Sequence, residues 1–142
     1  MIVLLLLMTG ARAFAQSPYV DSLENLLGTG IHDTVRVWAM NELSRERAYG
    51  SPEKSLQLAN QALQLANEIG YQRGEAYSYR MLASIDGTRD HYLAYSQYLH
   101  KAIKLFMELQ DSVGLANCYI TEAIVYGRQL NLESAIQSYQ KA

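Results

Sequence analysis

The chain repeats itself with a period of 40 residues, and no other feature constrains its fold as strongly. Residues 60–65 align with residues 100–105 at a shift of 40, and residues 140–142 fall in the same register after a second shift. Self-similarity at this period is typical of stacked structural units, since one unit alone buries too little apolar surface. We therefore divide residues 33–142 into repeats at about 33–70, 71–110 and 111–142, the last of them truncated.

Each repeat is predicted to contain two α-helices. Asp33 suits the N-cap of a helix that runs to about Ala48, and Ser51-Pro52-Glu53 begins the next helix with a proline where its missing N–H costs nothing. Apolar residues at spacings of three and four then form one helix face: Leu56, Ala59, Leu63, Ala66 and Ile69. The later repeats predict helices at about 72–85, 91–109, 111–127 and from 131 onward. The predicted fold class is all-α, an α-solenoid of antiparallel helix pairs.

The N-terminus has the pattern of a signal peptide. Residues 2–8 are an unbroken apolar run, far short of the roughly 20 residues that span a bilayer. Ala13-Phe14-Ala15 then has the spacing of a signal-peptidase site. We expect residues 1–15 to be removed on export, which makes the protein periplasmic or secreted; the alternative is a buried first strand or helix. Residues 16–32 are predicted to be a lead-in, an amphipathic helix followed by a linker.

Composition and motifs argue against several classes of function. Lys and Arg together number 12 against 14 Asp and Glu, a net charge of −2, which disfavours a nucleic-acid-binding groove. The single cysteine, Cys118, excludes a disulfide framework and a four-cysteine zinc site. No phosphate-binding glycine motif and no Ser–His–Asp or Cys–His constellation is recognised. The sequence therefore predicts a protein that is not an enzyme, with no catalytic residues, no metal site and no cofactor.

The residues at repeating positions resemble the tetratricopeptide repeat. Its pattern of aromatic and small residues is matched best in the third repeat, by Tyr119, Ala123, Tyr126, Ala135, Tyr139 and Ala142. The resemblance covers about residues 33–142. It implies a protein that binds peptides or partner proteins in a concave groove formed by the first helix of each pair.

A narrower resemblance concerns residues 33–63, which look like the opening of tetratricopeptide domains in Bacteroidetes envelope proteins. In such proteins, a transmembrane helix and a histidine-kinase or DNA-binding output often follow. This likeness implies the extracytoplasmic part of a sensor. We expect the sequence to be a fragment, because it stops inside a repeat without a polar capping helix. Any kinase domain or membrane anchor would lie beyond residue 142.

The resemblance also implies which side chains line the groove. Carried over repeat by repeat, the candidates are Met40, Asn41, Ser44, Arg47, Tyr77, Arg80, Met81, Ser84, Asn117, Ile120, Thr121, Ile124 and Arg128. Only three of them are basic, and the asparagine pair of family members that clamp a peptide's terminal carboxylate is not reproduced. We therefore predict a mixed apolar and basic groove for an extended peptide. The alternative is that these side chains are solvated or pack against an adjacent helix.

Two functions remain open at this point. The first is an interaction module, the sensing or scaffolding region of an envelope signalling protein of the sensor-kinase type. The second is a stand-alone secreted or periplasmic protein with a structural or assembly role. Both predict a protein or peptide partner and no nucleic acid bound by this region.

The signal-peptide prediction is tested by sequencing the mature protein from its N-terminus. Cleavage after Ala15 predicts that the first residue is Gln16. A mature chain that still begins at Met1 would contradict it.

Overall fold

The computed structural model describes residues 17–142, and the predicted signal peptide at 1–15 lies outside that range. The described residues form seven α-helices and no strand, so the all-α prediction is confirmed for them. The helices are α1 Pro18–Leu27, α2 Asp33–Arg47, α3 Pro52–Glu68, α4 Gln72–Thr88, α5 Tyr92–Glu108, α6 Ser112–Arg128 and α7 Leu132–Lys141. Within this range, no helix is both long and apolar enough to cross a membrane.

The helices from α3 onward begin at a constant spacing of 20 residues, at 52, 72, 92, 112 and 132. The 40-residue period of the sequence is therefore two helices, each with its connection. The predicted start at Pro52 and the predicted N-cap at Asn131 are both confirmed. Asp33 is the first residue of α2 rather than its N-cap, because the ring of His32 accepts the Thr34 N–H instead.

Every connection from α3 to α7 is built in the same way. In each, a backbone N–H donates to the carbonyl five residues earlier: Tyr71 to Ala66, His91 to Asp86, Asp111 to Phe106 and Asn131 to Tyr126, at 2.8–3.0 Å. The residue before each donor has a left-handed backbone: Gly70, Asp90, Gln110 and Leu130, with φ between 52° and 66°. This is the Schellman motif, which satisfies carbonyls at the end of a helix.

One helix extends further than the sequence predicts. We expected α4 to end near residue 85 and a turn to follow, but the helix continues through Gly87 to Thr88. Gly87 is buried, and a Cβ atom there would lie 2.5 Å from Val125 Cγ2 and 3.1 Å from Tyr95 Cδ2. The glycine therefore allows α5 and α6 to approach α4 closely, and it does not mark a turn.

The helices pack in chain order around successive core clusters. The first cluster joins α1, α2 and α3 through residues such as Val20, Val37 and Leu58. A second joins α3 to α4, and a third joins α4, α5 and α6 around the fully buried Phe106. Among the described residues, each helix contacts only helices next to it in the chain or one helix away. Because α4 alone contacts four others, α2, α3, α5 and α6, it is the centre of the fold.

The left-handed turn residues yield a prediction about stability. Leu130 is 84% exposed, so its side chain contributes little packing while its backbone is strained. We expect Leu130→Gly to raise the free energy of unfolding by about 0.5–1 kcal/mol, because glycine adopts this conformation without strain. Gly70→Ala should lower it by a similar amount, about 1 kcal/mol. Chemical denaturation followed by circular dichroism measures both changes.

The matched control is Gly50→Ala, at a glycine with free space around the Cβ position and no positive φ. This variant should change stability little. A Leu130→Gly protein that is less stable than the unmodified chain would show that the turn geometry does not govern this connection.

Candidate binding cleft

Alternate helices α2, α4 and α6 line an open cleft, which consists of a larger cavity of about 710 Å³ and a smaller one of about 180 Å³. Both cavities are lined by Arg45, Arg80, Met81 and Asn117, so the two lie side by side. We call this whole surface the cleft. The larger cavity extends to Trp38 and Tyr71, and the smaller one extends to Tyr49 and Ile124.

Equivalent positions of the three repeats contribute side chains to the cleft. Three sets of residues spaced by 40 line it: Val37, Tyr77 and Asn117; Asn41, Met81 and Thr121; Ser44, Ser84 and Ile124. Within each helix, these positions are four and three residues apart and so lie on one face. The cleft is therefore a product of the repeat, with one face of every second helix turned toward it.

Ten of the thirteen candidate groove residues line this cleft. They are Asn41, Ser44, Tyr77, Arg80, Met81, Ser84, Asn117, Ile120, Thr121 and Ile124.

The other three candidates lie elsewhere. Met40 is only 8% exposed and packs in the first core cluster, which includes residues of α1. Arg47 donates to Glu24 of α1 at 2.7 Å. Arg128 is exposed beyond the smaller cavity, where it donates to the Thr88 carbonyl at 3.2 Å. For Met40 and Arg47 the reason is α1, which packs against α2 and which the family positions do not take into account.

Several lining residues were not among the sequence candidates. They are Trp38, Glu42, Arg45, Ala48, Tyr49, Ser55, Tyr71, Arg73, Gly74, Ile85 and Val113. A signal for three of them was present, because Trp38, Glu42 and Arg45 recur at spacings of four and three on the face that carries Asn41. Trp38 is 46% exposed and lines the open cavity.

Two of the arginines that line the larger cavity are neutralised by carboxylates. Arg45 pairs with Glu42 and with Glu46, each at 2.9 Å. Glu42 also accepts a hydrogen bond from the Tyr19 hydroxyl at 3.2 Å. Arg73 donates to Asp111 at 2.8 Å.

Arg80 differs from the other lining arginines. Its Nε is buried without a hydrogen-bond partner, and its guanidinium carbon lies 5.7 Å from the centroid of the Tyr77 ring. Among the described residues, no carboxylate lies within ion-pair distance of it. Burial accordingly lowers the pKa of the Arg80 guanidinium, the direction expected when a cation is desolvated.

Asn41 has a complementary free group. Its Nδ2 donates to Ser78 Oγ at 3.0 Å, and that hydroxyl donates in turn to the Gly74 carbonyl, so the amide orientation follows from the hydrogen-bond network. The Asn41 Oδ1 is left buried without a donor. The cleft thus contains one unused donor on Arg80 and one unused acceptor on Asn41.

Cys118 of α6 is a buried core residue that lies near Arg80. Burial raises the pKa of the Cys118 thiol to about 12, so it is protonated at neutral pH and packs as a small side chain. The described residues hold no cluster of three or more His, Cys, Asp or Glu arranged for a metal ion.

The Arg73–Asp111 pair at the edge of the cleft predicts a pH dependence of stability. Asp111 also caps α6, where its Oδ1 accepts the Gly114 N–H at 2.9 Å. The Arg73 hydrogen bond, followed by backbone hydrogen bonds, holds the pKa of Asp111 below its usual value, against the opposing effect of burial. The folded pKa is lower than the unfolded one, so this stabilisation is complete above about pH 4 and is lost as the pH falls through the folded pKa.

We expect Asp111→Asn to be less stable than the unmodified protein at pH 7, with a difference that shrinks below about pH 4. Asp111→Ala also loses the cap and should cost about 1 kcal/mol more, largely independent of pH. The measurement is denaturant unfolding across this pH range. Asp33→Asn is the control, since that exposed carboxylate lies 3.8 Å from Arg36. A pH-independent loss in Asp111→Asn would contradict the role of the ion pair.

Comparison with known proteins returned no match to this chain among protein-family models, curated proteins or solved structures.

Proposed function

We propose that this chain is a tetratricopeptide-type α-solenoid that binds an extended segment of a partner protein in the cleft. The observation that carries the proposal is the set of three residue triplets, each spaced by 40, that line one cleft from α2, α4 and α6. A surface assembled from equivalent positions of successive repeats is extended along the repeat axis. Such a surface suits a ligand that is itself extended.

The chemistry of the lining supports a peptide ligand. Extended peptides present backbone N–H and C=O groups at regular intervals, and these need partners when they leave water. Asn41 offers an unused acceptor, and Asn117, Ser84 and Thr121 offer further polar side chains along the cleft. Ile120 and Ile124 are 38% and 42% exposed and provide apolar contact in the smaller cavity.

The setting that we propose is the cell envelope, where the cleft would act as the sensing or interaction region of a signalling protein. This setting is supported by the signal-peptide pattern of residues 1–15 and by the resemblance of residues 33–63 to envelope sensor proteins. A stand-alone periplasmic or secreted assembly protein would use the same cleft. The binding test below therefore applies to both alternatives.

A displayed library of random peptides, held between constant linkers at both ends, tests the proposal with the mature chain. We expect it to select peptides whose binding changes the fluorescence of Trp38, the single tryptophan of the chain, which lines the larger cavity. Replacing both Ile120 and Ile124 with serine should weaken the selected peptides about tenfold or more, because apolar contact in the smaller cavity is lost.

The matched control replaces Leu93 and Met107 of α5 with serine. These side chains are 76% and 61% exposed but do not line the cleft, so peptide affinity should be unchanged. The proposal is wrong if the library yields no binding peptide. It is also wrong if the control weakens binding as much as the cleft variant does.

A further inference from the structure

Arg80 lies where the two cavities join, and it lines both of them. It is the one lining arginine in the described residues without a carboxylate partner, since Arg45 and Arg73 are paired. Taking a cation out of water is unfavourable unless an anion or hydrogen-bond acceptors replace the lost solvent. The folded chain therefore maintains an uncompensated donor at the centre of the cleft.

No group packed around Arg80 can supply the missing anion. The groups that act on it electrostatically are Tyr77 of its own helix, Glu42 and Arg45 of α2, and Cys118 of α6. Glu42 already accepts hydrogen bonds from Arg45 and Tyr19, and the buried Cys118 is a neutral thiol. A complementary anion must come from a ligand.

The unused acceptor on Asn41 limits which ligands could supply this anion. Asn41 lines the same larger cavity and its Oδ1 lacks a donor, so this oxygen disfavours an isolated carboxylate or phosphate but can accept a peptide N–H. A ligand that satisfies both groups carries an anion and a backbone N–H close together. An acidic residue within a peptide chain has this combination.

The position of Arg80 also indicates where in the peptide the anion lies. The cleft continues from Arg80 toward Trp38 and Tyr71 in one direction and toward Ile120 and Ile124 in the other. A peptide that ended at Arg80 would leave one of the two cavities empty. An internal residue leaves chain on both sides, with apolar side chains available to the smaller cavity.

We infer that the cleft selects partner segments with an internal aspartate or glutamate, whose side-chain carboxylate is bound by the Arg80 guanidinium. This inference rests on the proposed function and specifies its ligand class.

The experiment uses the peptides recovered from the linker-flanked library, synthesised with blocked ends. We expect one aligned position to be dominated by Asp or Glu. Exchange of that residue for its amide, Asn or Gln, should weaken binding to the unmodified protein about tenfold or more, as expected for loss of one charge-assisted contact. The Arg80→Gln variant should bind the acid and the amide peptide with equal affinity.

Arg128→Gln is the matched control, because this arginine lies on α6 outside both cavities. It should retain the full preference for the acid peptide. Peptides with a free C-terminal carboxylate form a further arm, and if they bind better than the internal acids, the inferred source of the carboxylate is wrong.

A stability measurement separates a binding role for Arg80 from a structural one. Arg80→Met keeps the length of the stem and removes a partly buried cation that has no carboxylate partner, so it should unfold at the same or a higher denaturant concentration than the unmodified chain. If the Arg80 variants fail to fold, the guanidinium is structural and the inference is overturned. Selected peptides without an acidic preference overturn the inference alone, whereas the absence of any selected peptide overturns the proposed function with it.

Discussion

The structure depends on one backbone hydrogen bond that recurs every 20 residues. At the end of each helix from α3 to α6, the carbonyl three residues before the C-cap accepts the N–H of the residue two positions after the C-cap. The bond from the Tyr71 N–H to the Ala66 carbonyl is one example. The bond fixes a left-handed residue and starts the next helix at once, so each chain reversal has the same geometry. Identical reversals place alternate helices side by side, and this arrangement aligns their equivalent faces along the cleft.

Much of the fold could be predicted because its signals are local. The helix start at Pro52 and the cap at Asn131 follow from residue types that suit those positions. The end of α4 could not be predicted, because a glycine such as Gly87 usually indicates a turn. Here the glycine lies inside the helix, where it leaves room for side chains of α5 and α6. Most of the left-handed turn residues could not be predicted either, because only one of the four, Gly70, is a glycine.

The candidate site was likewise predictable where local sequence defines it and not where contacts between distant residues define it. Repeat positions carried over from the family resemblance place most candidates in the cleft, because one helix face is enough to define them. They fail for Met40 and Arg47, whose surroundings are set by α1. They also cannot show that Arg80 lacks a carboxylate partner whereas Arg45 and Arg73 are paired. The difference arises from carboxylates that tertiary packing brings to two of these arginines and not to the third.

The central place of α4 has a consequence for how the protein opens. Four other helices pack against α4, whereas α7 packs against α6, and α1 packs against α2 with one ion pair to Lys54 of α3. Local opening is least favourable at α4, because it would expose apolar surface shared with four neighbouring helices. Among the described helices, we expect the amides of α4, which carries Arg80 and Met81, to exchange most slowly. Its side chains therefore form a persistent anchoring point at the centre of the cleft, between the side chains of α2 and α6.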